Sequence, residues 1–167
     1  MRRRVDVDET LPEVAIPGRI LNELFTHARE AVPEECCGLI VAAQSQRFDR
    51  VVRCRNQMTQ LHAKEPSVYP RDGSQAFYMH PNDYRVFLEA PAPEGERVTA
   101  VYHSHVGGDA YLSEMDLDFA EGETFPFPDA DQIVVGVLDG HVGQYGIFRK
   151  DPGTKRFVGR PIVSVGP

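Results

Sequence analysis

Residues 101–116 read Val-Tyr-His-Ser-His-Val-Gly-Gly-Asp-Ala-Tyr-Leu-Ser-Glu-Met-Asp, and this stretch restricts the fold more than any other. Side chains two apart share a face only in a strand. His103 and His105 therefore project together if the segment is extended. The run before them, Arg97-Val-Thr-Ala-Val-Tyr102, is rich in β-branched and aromatic residues and favours a strand. Gly107-Gly108 breaks that strand. Ser113-Glu-Met-Asp116 then has the form of a helix N-terminal cap. Asp116 falls in the first helical turn, able to face the strand end. A strand end, a tight loop and a helix start must converge on one point.

Two imidazoles and a carboxylate can bind one zinc ion and leave its fourth position open to water. His-x-His alone is a weak signal, since most such pairs are exposed or packed histidines. Ser-x-x-Asp alone is more often a plain cap. Their joint occurrence in one strand–loop–helix unit is much less expected by chance. His103, His105 and Asp116 are thus the candidate metal ligands.

The length of 167 residues suggests one domain, and a hydrophobic content of 41% can supply its core. The net charge of −7 argues against broad binding of nucleic acid or anionic membrane. Arg2-Arg3-Arg4 is followed by acids rather than an apolar run, unlike a signal peptide, and no stretch approaches the roughly 20 apolar residues of a membrane span. Cys36, Cys37 and Cys54 do not make a disulfide framework, which suits a reduced, cytoplasmic setting. Zinc ligation by Cys37 is conceivable, but a small buried residue is the better reading.

In chain order, residues 1–15 read as a polar, flexible lead-in and 16–167 as the domain. Ile20, Leu21, Leu24, Phe25, Ala28 and Ala31 mark an amphipathic helix over about 18–31, with His27 on its flank. Cys37–Ala43 reads as a buried strand and Arg50–Arg55 as its hairpin partner. Residues 57–75 show no period and read as a long loop, of the kind that is functional or mobile. Phe77–Met79 suggests a short strand and 82–90 a helix with Val86, Phe87 and Ala90 partly inward. Pro91–Gly95 reads as a linker turn. After the helix that begins at Ser113 and a loop over 122–131, Gln132–Leu138 is the most strand-like run. Asp139-Gly140 signals a hairpin into Val142–Arg149, and Phe157–Val165 supplies a last strand. The fold class expected is α/β: a mixed, largely antiparallel sheet flanked by helices.

A metal-bound water still needs a group to take and return its proton. Glu34 and Glu35 both stand at the entrance of the first main strand. If that strand lies beside the His-x-His strand, either one can hang over the metal.

The motif resembles that of the JAMM (JAB/MPN+) metallopeptidases: an upstream Glu, then His-[Ser/Thr]-His, seven residues, Ser, two residues and Asp. Here His103-Ser104-His105 is followed by Val106–Leu112, Ser113, Glu114-Met115 and Asp116. The small stand-alone bacterial branch often shows Pro-x-Glu-x-Cys-Gly before its first strand. Pro33-Glu34-Glu35-Cys36-Cys37-Gly38 matches it and selects Glu35. Asn56 and Phe77–Pro81 match weaker family positions. The resemblance spans roughly residues 16–150, and the 57–76 loop departs from the shortest family members.

The resemblance implies a cytidine-deaminase-like JAB/MPN architecture with a curved sheet. It implies one zinc held by His103, His105 and Asp116, with Glu35 as general acid/base and Ser113 as hydrogen-bond donor to the oxyanion. Ser104 is left a structural role on the opposite face. The activity implied is hydrolysis of a peptide or isopeptide bond at the Gly-Gly tail of a ubiquitin-like or sulfur-carrier protein. Loop 57–76 and residues 106–112 are candidate walls for that tail. The working state is expected to be a monomer or homodimer. Rival readings are a non-catalytic MPN scaffold, a zinc hydrolase of another peptide amide and a JAMM-like protein of the DNA-repair type. His62, His80 and His141 read as surface or packing residues.

Overall fold

The computed structural model describes residues 3–43, 45–89 and 95–167. Its centre is a six-stranded sheet. Strand β1 is Val5–Asp6 and β2 is Val14–Pro17, followed by helix α1, Gly18–Ala31. Strands β3 (Cys37–Ala43) and β4 (Arg50–Cys54) come next. Helix α2 (Met58–Lys64) and helix α3 (Pro81–Tyr84), which runs into a 3-10 turn at Arg85–Leu88, precede β5 (Glu96–Val106). Then come β6 (Tyr111–Leu112), α4 (Glu114–Glu121), β7 (Asp131–Leu138), β8 (His141–Lys150), β9 (Phe157–Arg160) and β10 (Ile162–Val165). The sheet order is β4-β3-β5-β7-β8-β9, and the β5–β7 pair is its one parallel ladder. The fold is therefore the expected mixed, largely antiparallel α/β sheet.

The alternation along β5 divides the molecule. Ala100 and Tyr102 face α1, whose buried stripe of Ile20, Leu21, Leu24 and Ala28 packs on them together with Ile40, Ile133 and Val135. Val101 and His103 take the other face, with Leu39, Val41, Phe77 and Met79 packed around Val101. α1 seals one side, so the imidazoles emerge on the side covered by loops, by α3 with its 3-10 turn and by α4. His27, expected on the flank of α1, is half-buried, with Nδ1 2.7 Å from the Tyr102 hydroxyl.

Several elements differ from the expectations. The lead-in is partly paired: β1 pairs antiparallel with β6, Val7 bridges Gly159, and β2 pairs in parallel with β10. Two-residue strands are too short to leave a period in the sequence. Residues 58–64 are helical rather than looped, with Met58 the buried residue, so no apolar stripe betrayed the helix. The strand expected at 77–79 is reduced to one bridge, Asn56 with Met79. The helix expected over 82–90 shrinks to α3 and the 3-10 turn, and Val86 is exposed while Phe87 packs inward. Its end at Ala90 and the 91–94 part of the linker turn lie outside the described residues. The expected last strand splits at Pro161, which has no N–H for a ladder, into β9 and β10.

The Asp139-Gly140 turn forms as expected, with φ of 52° and 77°. A second glycine device supports the site. Gly108 has φ of 91°, and its backbone lies so close to Gly136 that a Cβ there would meet it at 2.3 Å. Gly107 N donates to Val137 O (2.8 Å) and Gln144 N to Gly108 O (2.9 Å). These bonds stitch the chain leaving His105 onto β7 and β8 before it turns to β6 and α4. Among the described residues no helix is long and apolar enough to cross a membrane.

Candidate metal centre

His103 and His105 stand at the C-terminal end of β5, opposite Cys37 of β3 and Gly136 of β7 respectively. Ser113 caps α4. Its Oγ accepts from Asp116 N at 3.1 Å, and its own N donates to Asp116 Oδ2 at 2.9 Å. This reciprocal cap fixes the Asp116 carboxylate at the helix start, where the helix dipole also favours a negative charge. The Ser113 hydroxyl uses a lone pair in the cap and keeps its proton to donate.

The three side chains converge. The Nε2 atoms of His103 and His105 are 3.1 Å apart, and Asp116 Oδ2 lies 3.3 and 3.2 Å from them. A tetrahedral ion with bonds of about 2.0–2.1 Å separates its ligand atoms by about 3.3–3.4 Å. The observed triangle matches that spacing to within a few tenths of an ångström, so the group could hold one metal ion. Both Nδ1 atoms are buried without a partner among the described residues, which leaves Nε2 as the nitrogen each ring has to offer.

Aromatic rings hold the imidazoles in place. Phe77 stacks on His103 with centroids 4.5 Å apart, and Tyr111 lies 4.7 Å from the His105 ring. Burial is total at His103 and lowers its pKa, against the pull of Asp116, which favours the neutral imidazole a metal requires. Burial alone would raise the Asp116 pKa. The two imidazoles outweigh it and hold the carboxyl far below the ordinary range.

Glu34 and Glu35 part ways. Thr59 Oγ1 donates to the Glu34 carboxylate, which faces α2. Glu35 is only 6% exposed and opens into a cleft of about 250 Å³ that it shares with Arg71, His105, Tyr111, Ser113 and Asp116. Burial, then the charge of Asp116, pushes its carboxyl up to about 9, with Arg71 opposing. In the metal-free state Glu35 is therefore a neutral acid at pH 7, and a divalent cation nearby would favour its ionised form.

The backbone around Glu35 is pinned from three directions. Glu35 N donates to Gly73 O at 2.7 Å. Asn56 Nδ2 donates to Glu35 O (3.0 Å) and Ala76 O (3.1 Å), while its Oδ1 accepts from Met58 N (3.0 Å) and Tyr78 N (3.1 Å). Ser104, on the opposite face as expected, accepts from Cys36 N at 2.7 Å and donates its own N–H to Cys36 O at 3.1 Å. Glu35 is thereby tied to the histidine strand by its neighbour. Cys37 lies outside the ligand group: it is fully buried, with its thiol toward Cys54 O. His62 Nδ1 lies 2.7 Å from Tyr69 O, His80 caps α3, and His141 starts β8, so none of the three joins the cluster.

Sequence reasoning missed Arg71, Tyr111 and the part Asn56 plays. Arg71 sits in a stretch without period. The family motif fixes only the spacing across Tyr111, not its identity.

The family model for prokaryotic homologs of the JAB domain matches residues 17–150. The proteins named CysO-cysteine peptidase in Mycobacterium tuberculosis and Mycobacterium bovis are each 26% identical over 141 residues, covering 84% of either chain. A solution structure of a Desulfitobacterium hafniense protein aligns over 92% of this chain and 94% of its own, with a TM-score of 0.66 at 16% identity. One from Salinibacter ruber covers 92% of both chains, with a TM-score of 0.53 at 25% identity. The matched region contains the whole of the triad, Glu35 and five of the six strands of the sheet that carries them, and the chain belongs to the prokaryotic homologs of the JAB domain.

Proposed function

We propose that this chain is a zinc-dependent JAMM-type peptidase that cuts at the Gly-Gly tail of a ubiquitin-like, sulfur-carrier protein. The observation that carries the reading is the triangle of His103, His105 and Asp116 at metal-ligand spacing, with a buried carboxyl, Glu35, opening into the same cleft. Family membership and relatives named as CysO-cysteine peptidases support the substrate class.

Zinc at this site would polarise a water and the scissile carbonyl. Glu35 takes the water proton and returns it to the leaving amine, a role suited to a carboxyl whose burial leaves it ready to hold a proton. The Ser113 hydroxyl donates to the oxyanion, positioned by its bond with Asp116 N. The 57–76 segment supplies Arg71, Ser74 and Gln75 to the cleft and the 106–112 segment supplies Val106 and Tyr111, which supports both as walls for a narrow glycine tail.

The test uses carrier proteins ending in Gly-Gly plus a C-terminal extension of either one or several residues, incubated with zinc-loaded protein and weighed intact, trimming of either one counting for the reading. Trimming back to Gly-Gly is expected. Glu35→Gln should keep about one zinc per chain and lose roughly 10²–10⁴-fold in rate, while His103→Ala should lose the metal. An unchanged mass after prolonged incubation, or a Glu35→Gln protein as active as the wild type, sinks the reading.

A further inference from the structure

Resting on the peptidase reading above, we propose that Arg71 anchors the free C-terminal carboxylate of the substrate, so that the site releases a single C-terminal residue. Arg71 lines the same cleft as Glu35, His105 and Asp116. It makes no hydrogen bond or ion pair among the described residues. Arg3, Arg4, Arg47, Arg53, Arg55 and Arg149 each pair with a carboxylate. Arg29, Arg85, Arg156 and Arg160 share that lack of an ion pair among the described residues, and Arg71 is the one of them that lines the cleft with Glu35 and Asp116.

Its mounting is fixed. The next residue, Asp72, accepts from Ser74 N (2.8 Å), and Gly73 donates to Thr59 Oγ1 (2.9 Å) and accepts from Glu35 N (2.7 Å). The backbone that carries Arg71 is thus bonded to the backbone that carries Glu35. Arg71 also lines a second cleft, of about 430 Å³, with Arg3, Arg4 and Tyr111, so it stands where one hollow opens into the next.

Charge and size point the same way. Arg71 is the one Arg or Lys among the described residues lining this cleft, beside the carboxyl groups of Glu35 and Asp116, so it is the group there that a substrate carboxylate can pair with. A guanidinium binds a carboxylate through two parallel hydrogen bonds. At about 250 Å³ the cleft over the triad is smaller than the roughly 300–1,000 Å³ of sites for drug-sized ligands, room for one terminal residue rather than a second folded domain. In the reaction, water adds to the last Gly carbonyl and the C–N bond breaks. The carrier keeps a Gly carboxylate, and the amine leaves with the water proton as a free amino acid.

The experiment uses two synthetic peptides ending Gly-Gly-Ala, one with a free carboxylate and one with a C-terminal amide. Alanine avoids a thiol that would itself ligate metal. Zinc-loaded wild type should cleave the free acid about 10- to 100-fold more efficiently than the amide, the range of a charge-assisted hydrogen-bonded pair. Arg71→Gln should bring that ratio to about one, with the loss in KM, and Arg71→Lys should restore part of it. Calorimetric binding to Glu35→Gln protein, which turns over slowly, should show the same preference for the free acid, lost in the Glu35→Gln/Arg71→Gln double variant. Equal cleavage of the two peptides, or equal binding by Glu35→Gln protein, overturns the role of Arg71 and leaves the peptidase reading standing. Preferred binding of the free acid with no cleavage of either peptide keeps Arg71 and removes the peptidase.

Discussion

Glu35→Gln should make the metal-free protein more stable. The Glu35 carboxyl titrates near 9 in the folded chain against an ordinary value of 4.5. A carboxyl raised on folding stabilises the native state fully only below 4.5, and that contribution is lost as pH rises toward 9. At pH 7 the unfolded chain gains by ionising Glu35 while the folded chain still holds the proton. The penalty is about 2.5 pH units at about 1.4 kcal/mol each, or about 3.5 kcal/mol, rising to about 5 kcal/mol at pH 8 and falling below about 1 kcal/mol at pH 5. Glutamine keeps the shape and a neutral head at every pH, so it escapes the penalty. Urea denaturation of chelator-stripped wild type and variant between pH 5 and 8 measures the difference, which should grow by about 1.4 kcal/mol per pH unit. The midpoint of thermal unfolding should rise by about 7–14 °C at pH 7 for a chain of this size. A variant no more stable than wild type at pH 8, or a difference that ignores pH, would refute the claim that burial strains this carboxylate.

Three other outcomes follow from the site. Ser113→Ala should cost about 1 kcal/mol through the lost α4 cap and, separately, about 10²–10³-fold in kcat, with metal content unchanged by elemental mass spectrometry. Asn56→Ala leaves the Met58 and Tyr78 N–H groups and the Glu35 and Ala76 carbonyls without their partner, and should destabilise by about 3 kcal/mol in urea. Gly136→Ala should cost more than about 2 kcal/mol and lower metal affinity in a competition titration, because its Cβ would displace the Gly108 backbone that follows His105.

What the sequence revealed depended on distance along the chain. The triad lies within 14 residues, and local geometry alone predicts that a strand, a glycine break and a cap bring its members together, as the 3.1–3.3 Å triangle has them. Glu35 lies 68 residues before His103, and only the family resemblance separated it from Glu34. The physical difference is tertiary: Thr59 binds Glu34, and Glu35 is buried over the cleft. The long strands were legible from their apolar runs and the Asp-Gly turn. The parallel pairing of β2 with β10 was not, because four-residue segments at opposite ends of a chain carry no trace of each other. Arg71 and Phe77 belong to a segment whose form is set by the Asn56 and Gly73 hydrogen bonds rather than by a hydrophobic period.

Asn56 makes the 57–76 segment exchangeable. One side chain holds the segment at both ends, at Met58 N and at Ala76 O, and the same side chain holds Glu35. So long as the Gly73 carbonyl that receives Glu35 N is kept, the rest of what lies between those two anchors can lengthen, shorten or change its chemistry without moving the buried carboxyl. The loop behaves as a cassette in a fixed frame. A graft from a relative that keeps Asn56 and the Gly73 contact should change which peptides bind while leaving Glu35 where it stands.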